Sequence, residues 1–307
     1  MPPPNECASP LPFVDAHHHL WDLSACHYPW LMARGVQRFF GDPAPIQKNY
    51  LVADLLSESS VWVPEKSVHI QVGVDAADNI NESRWLQTIA DAPENRGFPH
   101  AIVAFCDLSA VDAAAQLEAQ KHFPNIRGIR HIVGRHIDED KLTGSNQLLT
   151  NPLWKENLAR LSKLGLSFDL QLIPQQLEDL YLILKDIPRL KVALCHCGSP
   201  WDQTAAGIKH WCAGLRRLAQ LPNLYCKISG LSMFNHDWTT EEIRPLILSC
   251  IEIFGQDRCM FGSNFPVDKL HTSYQCIWDA YNVTTADFSH GERTKLFKEN
   301  AEQFYRM

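Results

Sequence analysis

Eight short apolar stretches recur along the chain, each followed by a segment whose apolar positions fall at helical spacing. They are PFVDAHHHLW, SVHIQVGV, HAIVAFCDL, IRGIRHIVG, LSFDLQLI, KVALCHCG, NLYCKISGL and RCMFGSNF. Most are continuous rather than strictly alternating, which suits parallel strands whose outer face is covered by helices. The segments between them carry helix-end signals. In NPLWKENLARLSKLG, Asn151 is placed to cap, Pro152 takes the first helical position and Gly165 marks the end. Trp154, Leu158, Leu161 and Leu164 make its apolar stripe. Thr239 with Glu242, and Ser289 with Glu292, have the spacing of capping boxes. Eight strand–helix units with no break in composition predict a single (β/α)8 barrel over residues 13–307, after a proline-rich flexible tail at 1–12.

Composition narrows the function classes. The chain has 307 residues, 45% hydrophobic and 21% charged, as in ordinary soluble globular proteins. A net charge of -7 argues against a nucleic-acid or anionic-membrane partner. No apolar run approaches the roughly 18 residues of a membrane span. Ten cysteines without a CxxC pair read as reduced thiols, and the opening MPPPNECASPLP lacks the basic and apolar regions of a signal peptide. A cytoplasmic location is therefore expected.

In such barrels the chemistry sits at the C-terminal ends of the strands. His17 and His19 end the first stretch and share one face by alternation, with His18 on the other. Such a pair can ligate a metal or donate to a substrate oxygen, or simply cap the barrel end. The second stretch offers His69 and Gln71, the fourth Arg130, the fifth Asp169 and Gln171, the sixth His196, the seventh Lys227 and Ser229, and the eighth Asn264, with Asp268 just beyond. Arg130, inside an apolar strand, needs a carboxylate or phosphate: a substrate group, or an internal acid such as Asp169. Cys195 and Cys197 flank His196 and point away from it, which assigns them to packing. Tyr28, Trp30 and Trp201, with His27, fall in loops over the mouth, where they would cover a ring or pack among themselves.

These motifs resemble a known family. VDAHHHLWD is similar to the HxH strand of the amidohydrolase superfamily. YPWL, HIQV, RGIR, HCGSP, KISGL, FGSNFPV and ENAEQFYRM resemble, in order, the branch that contains sugar lactonases and 2-pyrone-4,6-dicarboxylate lactonase. The resemblance implies a (β/α)8 barrel and hydrolysis of a lactone ring, with His17, His19, His196 and Asn264 in the site and Arg130 on a substrate carboxylate. Two departures stand out. The fifth stretch has no histidine and the fourth no lysine or glutamate, both common in metal-dependent relatives. Asn264 also stands where the family normally has the aspartate that activates water. Asp268 or a neutral histidine would then take the proton.

The leading expectation is a hydrolase that opens a lactone or related ester of a small carboxylated metabolite. Its catalytic candidates are His17, His19, His196, Asn264 and Asp268; its substrate-binding candidates are Arg130, Gln71, Asp169, Tyr28, Trp30 and Trp201. The same cluster would also serve a decarboxylase, lyase or isomerase, or a non-catalytic binder that has lost its aspartate. No cofactor is expected, although His17 and His19 leave room for one divalent cation such as Zn2+. The partner expected is a small-molecule carboxylated lactone or acid, with neither nucleic acid nor membrane. Oligomeric state, a homo-oligomer included, is not set by these patterns.

Overall fold

A computed structural model describes residues 11–139 and 145–307; most of the expected tail, residues 1–10, lies outside them. Eight parallel strands pair in chain order: β1 (Val14–His18), β2 (Lys66–Ile70), β3 (Ala101–Phe105), β4 (Ile126–Arg130), β5 (Ser167–Leu170), β6 (Val192–Leu194), β7 (Leu224–Ile228) and β8 (Cys259–Phe261). The ring is drawn together where β8 returns to β1. Asn264 N donates to His17 O, and His19 N to Phe265 O, both at 2.7 Å. The expected single (β/α)8 barrel is therefore the observed fold.

Helices α1 (Pro29–Met32) and α2 (Val52–Glu58) lie in the long first connection. Then come α3 (Asn79–Asp91), α4 (Ala113–Lys121), α5 (Pro152–Leu164), α6 (Leu177–Leu184), α7 (Ala205–Leu218), α8 (Thr240–Phe254), α9 (Tyr274–Thr284), α10 (His290–Thr294) and α11 (Asn300–Tyr305). The end signals act as the sequence suggests. Asn151 Oδ1 accepts from Leu153 N and Trp154 N, and Gly165 ends α5 at φ +71°, a conformation that a side chain resists. Trp154, Leu158 and Leu161 are fully buried on the face of α5 that meets the sheet. Among the described residues no helix is long and apolar enough to cross a membrane.

The end of the barrel opposite the site is closed by chain-terminal residues. Phe304 and Tyr305 of α11 pack with Val14, Ala16, Val68, Val103 and Met260. There the Tyr305 hydroxyl donates to Asp169 Oδ2 at 2.9 Å, and Lys227 Nζ donates to the same carboxylate. Both members of this ion pair are wholly buried. Asp169, expected on sequence grounds to bind substrate, is thus committed to a lysine and a tyrosine inside the barrel. Nor is it the ion-pair partner of Arg130, whose hydrogen bonds go elsewhere.

Candidate active site

A cavity of about 250 Å³ opens over the C-terminal ends of the strands. His19, Arg38, Arg130, Arg135, Gln171, His196 and Asn264 supply its polar lining, and Trp30, Phe39 and Phe40 form an aromatic wall. Each polar residue is aimed by a local device. β1 loses its regular register against β2 between Asp15 and His18. On the near side of the irregularity Asp15 turns to Ser263 and to Tyr274 of α9. Beyond it the His17 ring stands 4.5 Å from His196 and 5.1 Å from His19. Strand irregularities of this kind re-aim side chains beside active sites. Gly262 faces His17 so closely that an added Cβ would lie 2.7 Å from the His17 backbone nitrogen.

β6 ends in a left-handed turn. His196, Cys197, Gly198 and Ser199 all have φ between +52° and +70°. Asn264, after β8, has φ +57°. Non-glycine residues in this region cost on the order of 1–3 kcal/mol each and gather at functional sites. Here they bring His196 and Asn264 to one cavity. His196 Nδ1 lies 3.0 Å from Ser229 Oγ, and a Cβ on Gly230 would come within 2.5 Å of the same nitrogen. Position 230 therefore needs glycine.

The histidines are neutral. Burial, followed by the Arg130 cation, pushes His19 down to about 3. Burial and Arg130 hold His196 well below the ordinary imidazole range; burial, His196 and Lys227 do so for His17. His19 Nδ1 lies 2.8 Å from Ile70 O, an oxygen that can only accept, so the neutral ring carries its proton there and offers the Nε2 lone pair. That nitrogen is 3.3 Å from the Asn264 side-chain oxygen, while the Asn264 amide nitrogen donates to Asp268 Oδ1 at 2.6 Å. This amide orientation matches a protonated His19 and an ionised Asp268. Rotated by half a turn, the amide matches a neutral His19 and a protonated Asp268. Burial raises the Asp268 carboxyl to about 7, against bonds from Asn264 and Ser232 that lower it. Asn264 therefore links two groups whose protonation states favour opposite orientations of its amide.

Arg130 is 5% exposed and has no ion-pair partner among the described residues. Its Nη2 donates to Gln71 O at 2.6 Å and its Nη1 to Gln171 Oε1 at 3.2 Å, while Nε is buried and unpartnered. Both ring nitrogens of His17 are likewise buried without a partner.

Other residues singled out from the sequence lie off the cavity. His17 sits behind His19 and His196, and Asp268 behind Asn264. The Gln71 side chain folds back to accept from Gly73 N, leaving its backbone oxygen to hold Arg130. Tyr28 is fully buried in the core against Leu31 and its neighbours instead of covering a ligand. His27 is at the surface, paired with Asp75. Trp201 lines a neighbouring cavity and contributes edge-on to Phe39, with ring centroids 5.2 Å apart. Sequence reasoning did not single out Arg38, Phe39, Phe40 or Met233, which do line the cavity. For Arg38, Phe39 and Phe40 the signal was a basic residue and two aromatics inside a connection too long for a simple turn; Met233, after β7, carried none.

Comparisons with known proteins bear on this geometry. The family model for amidohydrolases matches residues 14–307. The chain is 40% identical over 300 residues to the uncharacterized protein y4mH of Sinorhizobium fredii, covering 97% of this chain and 100% of that one. It is 26% identical to an L-fucono-1,5-lactonase of Burkholderia ambifaria, covering 96% and 95%. A crystal structure of an amidohydrolase from Burkholderia multivorans with bound zinc superposes with a TM-score of 0.80 at 23% identity, covering 97% and 100%. The chain belongs to the amidohydrolase family and is a lactonase-like enzyme of that superfamily.

Proposed function

We propose that the enzyme hydrolyses a lactone or related cyclic ester that carries a carboxylate. One observation carries the anionic part of this reading: Arg130, a buried guanidinium with an unpartnered Nε and no carboxylate in contact among the described residues. A planar fork in that state is suited to a carboxylate. The lactone part is supported by the lactonase relatives and by the histidine cluster beside Arg130.

In this mechanism the substrate carboxylate docks on Arg130 and orients the ring. Its negative charge offsets the cation that, after burial, does most to depress His19, so His19 becomes a stronger base once substrate is bound. Water attacks the ring carbonyl carbon as His19 Nε2 takes its proton. Asn264 turns its oxygen to the new imidazolium, and its amide nitrogen donates to an ionised Asp268. In the tautomer whose Nδ1 accepts from the Ser229 hydroxyl, His196 carries its proton on Nε2 and donates it to the tetrahedral oxyanion. As the carbonyl re-forms, the ring C–O bond breaks and the leaving oxygen takes the proton back from His19. The product is the ring-opened hydroxy acid.

A resident metal is no part of this reading. The amidohydrolase of Burkholderia multivorans that resembles this chain was crystallised with bound zinc. Among the described residues, however, no three histidines or acids bring their donor atoms within 4.8 Å of one another; only Cys197, Cys226 and Cys250, buried outside the cavity, do so. His17 and His19 alone, beside a neutral amide and under the field of Arg130, do not fit a tightly held divalent cation. The function is tested with a panel of carboxylated and uncharged lactones assayed for acid release. Turnover confined to carboxylated members supports the proposal. Decarboxylation of an acid with no turnover of any lactone would replace it.

A further inference from the structure

The cavity has a second half that the reaction scheme does not use, and it bears on the rest of the substrate. We infer that the ligand is a flat, largely apolar carboxylated lactone, one that carries or is fused to an aryl ring, and not a polyhydroxylated sugar lactone. This rests on the lactonase reading of the same site.

Hydrogen-bonding capacity is the first argument. A sugar lactone presents several hydroxyl donors, each needing an acceptor once it leaves water. Among the described residues, no aspartate, glutamate, serine, threonine or tyrosine lines the cavity. Arg38, Arg130 and Arg135 line it, and their side chains only donate. Gln171 Oε1 already accepts from Arg130, and the Asn264 amide is taken by His19 and Asp268. The lining therefore suits a ligand rich in acceptors and poor in donors.

The second argument is the wall. Phe40, Met233 and Val267 form an apolar cluster separate from the main core, with Trp30 and Phe39 packed against it. Trp30 turns its one polar atom away, Nε1 donating to Val72 O at 2.6 Å, so what remains for a ligand is ring surface. Phe40 meets Trp30 and Phe39 edge to face, at 86° and 84°. The arrangement is braced: Glu139 accepts from Arg38 Nε and Nη2 and from Phe39 N, and the Arg38 guanidinium lies 5.9 Å from the Phe40 ring centre. A wall held in place beforehand spends little ordering entropy on a rigid aryl ring.

The test separates ligand class from chemistry. Binding of two unreactive monoanions, 1-naphthoate and gluconate, is measured by calorimetry on the wild type and on Phe39→Ser. Hydrolysis is measured with a carboxylated dihydrocoumarin and with an aldarolactone, a sugar lactone that also carries a carboxylate. Naphthoate is expected to bind on the order of 100-fold more tightly than gluconate, with most of that preference lost in Phe39→Ser while the melting temperature holds. Gluconate binding as tightly as naphthoate, or no naphthoate binding at millimolar concentration, overturns the inference. Faster turnover of the aldarolactone also overturns it but leaves the lactonase reading intact. A naphthoate preference that depends on Phe39, with neither lactone hydrolysed, sinks the lactonase reading and leaves the ligand class standing.

Discussion

Replacing Arg130 by alanine should damage binding while making the histidines easier to protonate, and the two effects can be read separately. The guanidinium is buried and holds Gln71 O and Gln171 Oε1. Truncating one partner of a buried, hydrogen-bonded charge pair costs about 2–5 kcal/mol of binding, or roughly 30- to 4,000-fold in affinity. The loss should fall mainly on KM for a carboxylated substrate. Arg130→Lys keeps the charge and loses the fork, so it should recover only part of that loss. Because Arg130 is the largest influence after burial on both His19 and His196, its removal should move both imidazoles up towards their ordinary range. The imidazole signals can be followed by NMR titration. The same rise should carry the acid limb of the kcat/KM profile of Arg130→Ala, on an uncharged lactone, to higher pH. A thermal melt controls for the two acceptors left buried without a donor, about 1–3 kcal/mol each. Unchanged kcat/KM for carboxylated substrates would show that Arg130 is structural. Loss of kcat alone, with unshifted histidines, would refute the electrostatic link.

Three further outcomes are expected. Asn264→Asp sets two carboxyls where a 2.6 Å hydrogen bond now stands; they will share a proton, repel an anionic substrate and lower kcat/KM at least about tenfold, whereas a gain approaching the roughly 10²–10⁴-fold value of a general base would show that His19 is not the base. Enzyme purified without added metal and treated with a chelator should keep its activity; stoichiometric zinc by elemental analysis, with activity lost on its removal, would refute the reading of His19 as a base that works without a metal. Stability should fall as pH rises from 6.5 to 8, because burial raises Asp268 to about 7 and Glu82 to about 8, so the folded state holds protons that the unfolded state has already released. Below 6.5 the depressed histidines oppose this trend, as the unfolded chain then binds protons that folded His18 and His19 refuse down to about 3. Urea melts of wild type and Glu82→Gln across that range check the slope, which should be shallower in the variant.

What could be read from the sequence follows the range of the interactions involved. The barrel was legible because parallel strands and capped helices are written in adjacent residues: the Asn151 cap acts within three positions and the Thr239 box within three. His17 and His19 were legible as a pair, although a strand irregularity and not plain alternation brings them together, since Asp15 of the same odd-numbered set turns to α9. Arg130 stood out as a charge in an apolar strand, but its partners come from 41 and 59 residues away, and one is a backbone oxygen that no residue type announces. Asp169 was misplaced for a similar reason. Its lysine is 58 residues off and its tyrosine 136, so the alternation that set it on an inner face could not tell the cavity from the plugged end of the barrel. The aromatic wall was hidden more deeply, because Phe39 becomes a wall residue only when Glu139, 100 positions on, fixes its backbone.

Asn264 joins both scales. Its left-handed φ of +57° is a local demand, which asparagine and aspartate meet more easily than other side chains. Its amide is a long-range demand, set between His19 from β1 and Asp268 at the start of the next connection. An amide offers one donor and one acceptor end, and it can exchange them by rotation without moving the backbone. A carboxylate in the same place would satisfy the turn, yet it could not donate to Asp268 without being protonated itself. The turn alone therefore does not account for asparagine over aspartate. Asn264→Asp keeps the backbone conformation and changes only charge and donor count, so a loss of activity with an unaltered melting temperature would assign the role of Asn264 to proton coupling between His19 and Asp268, and a loss of stability of the same size would assign it to packing.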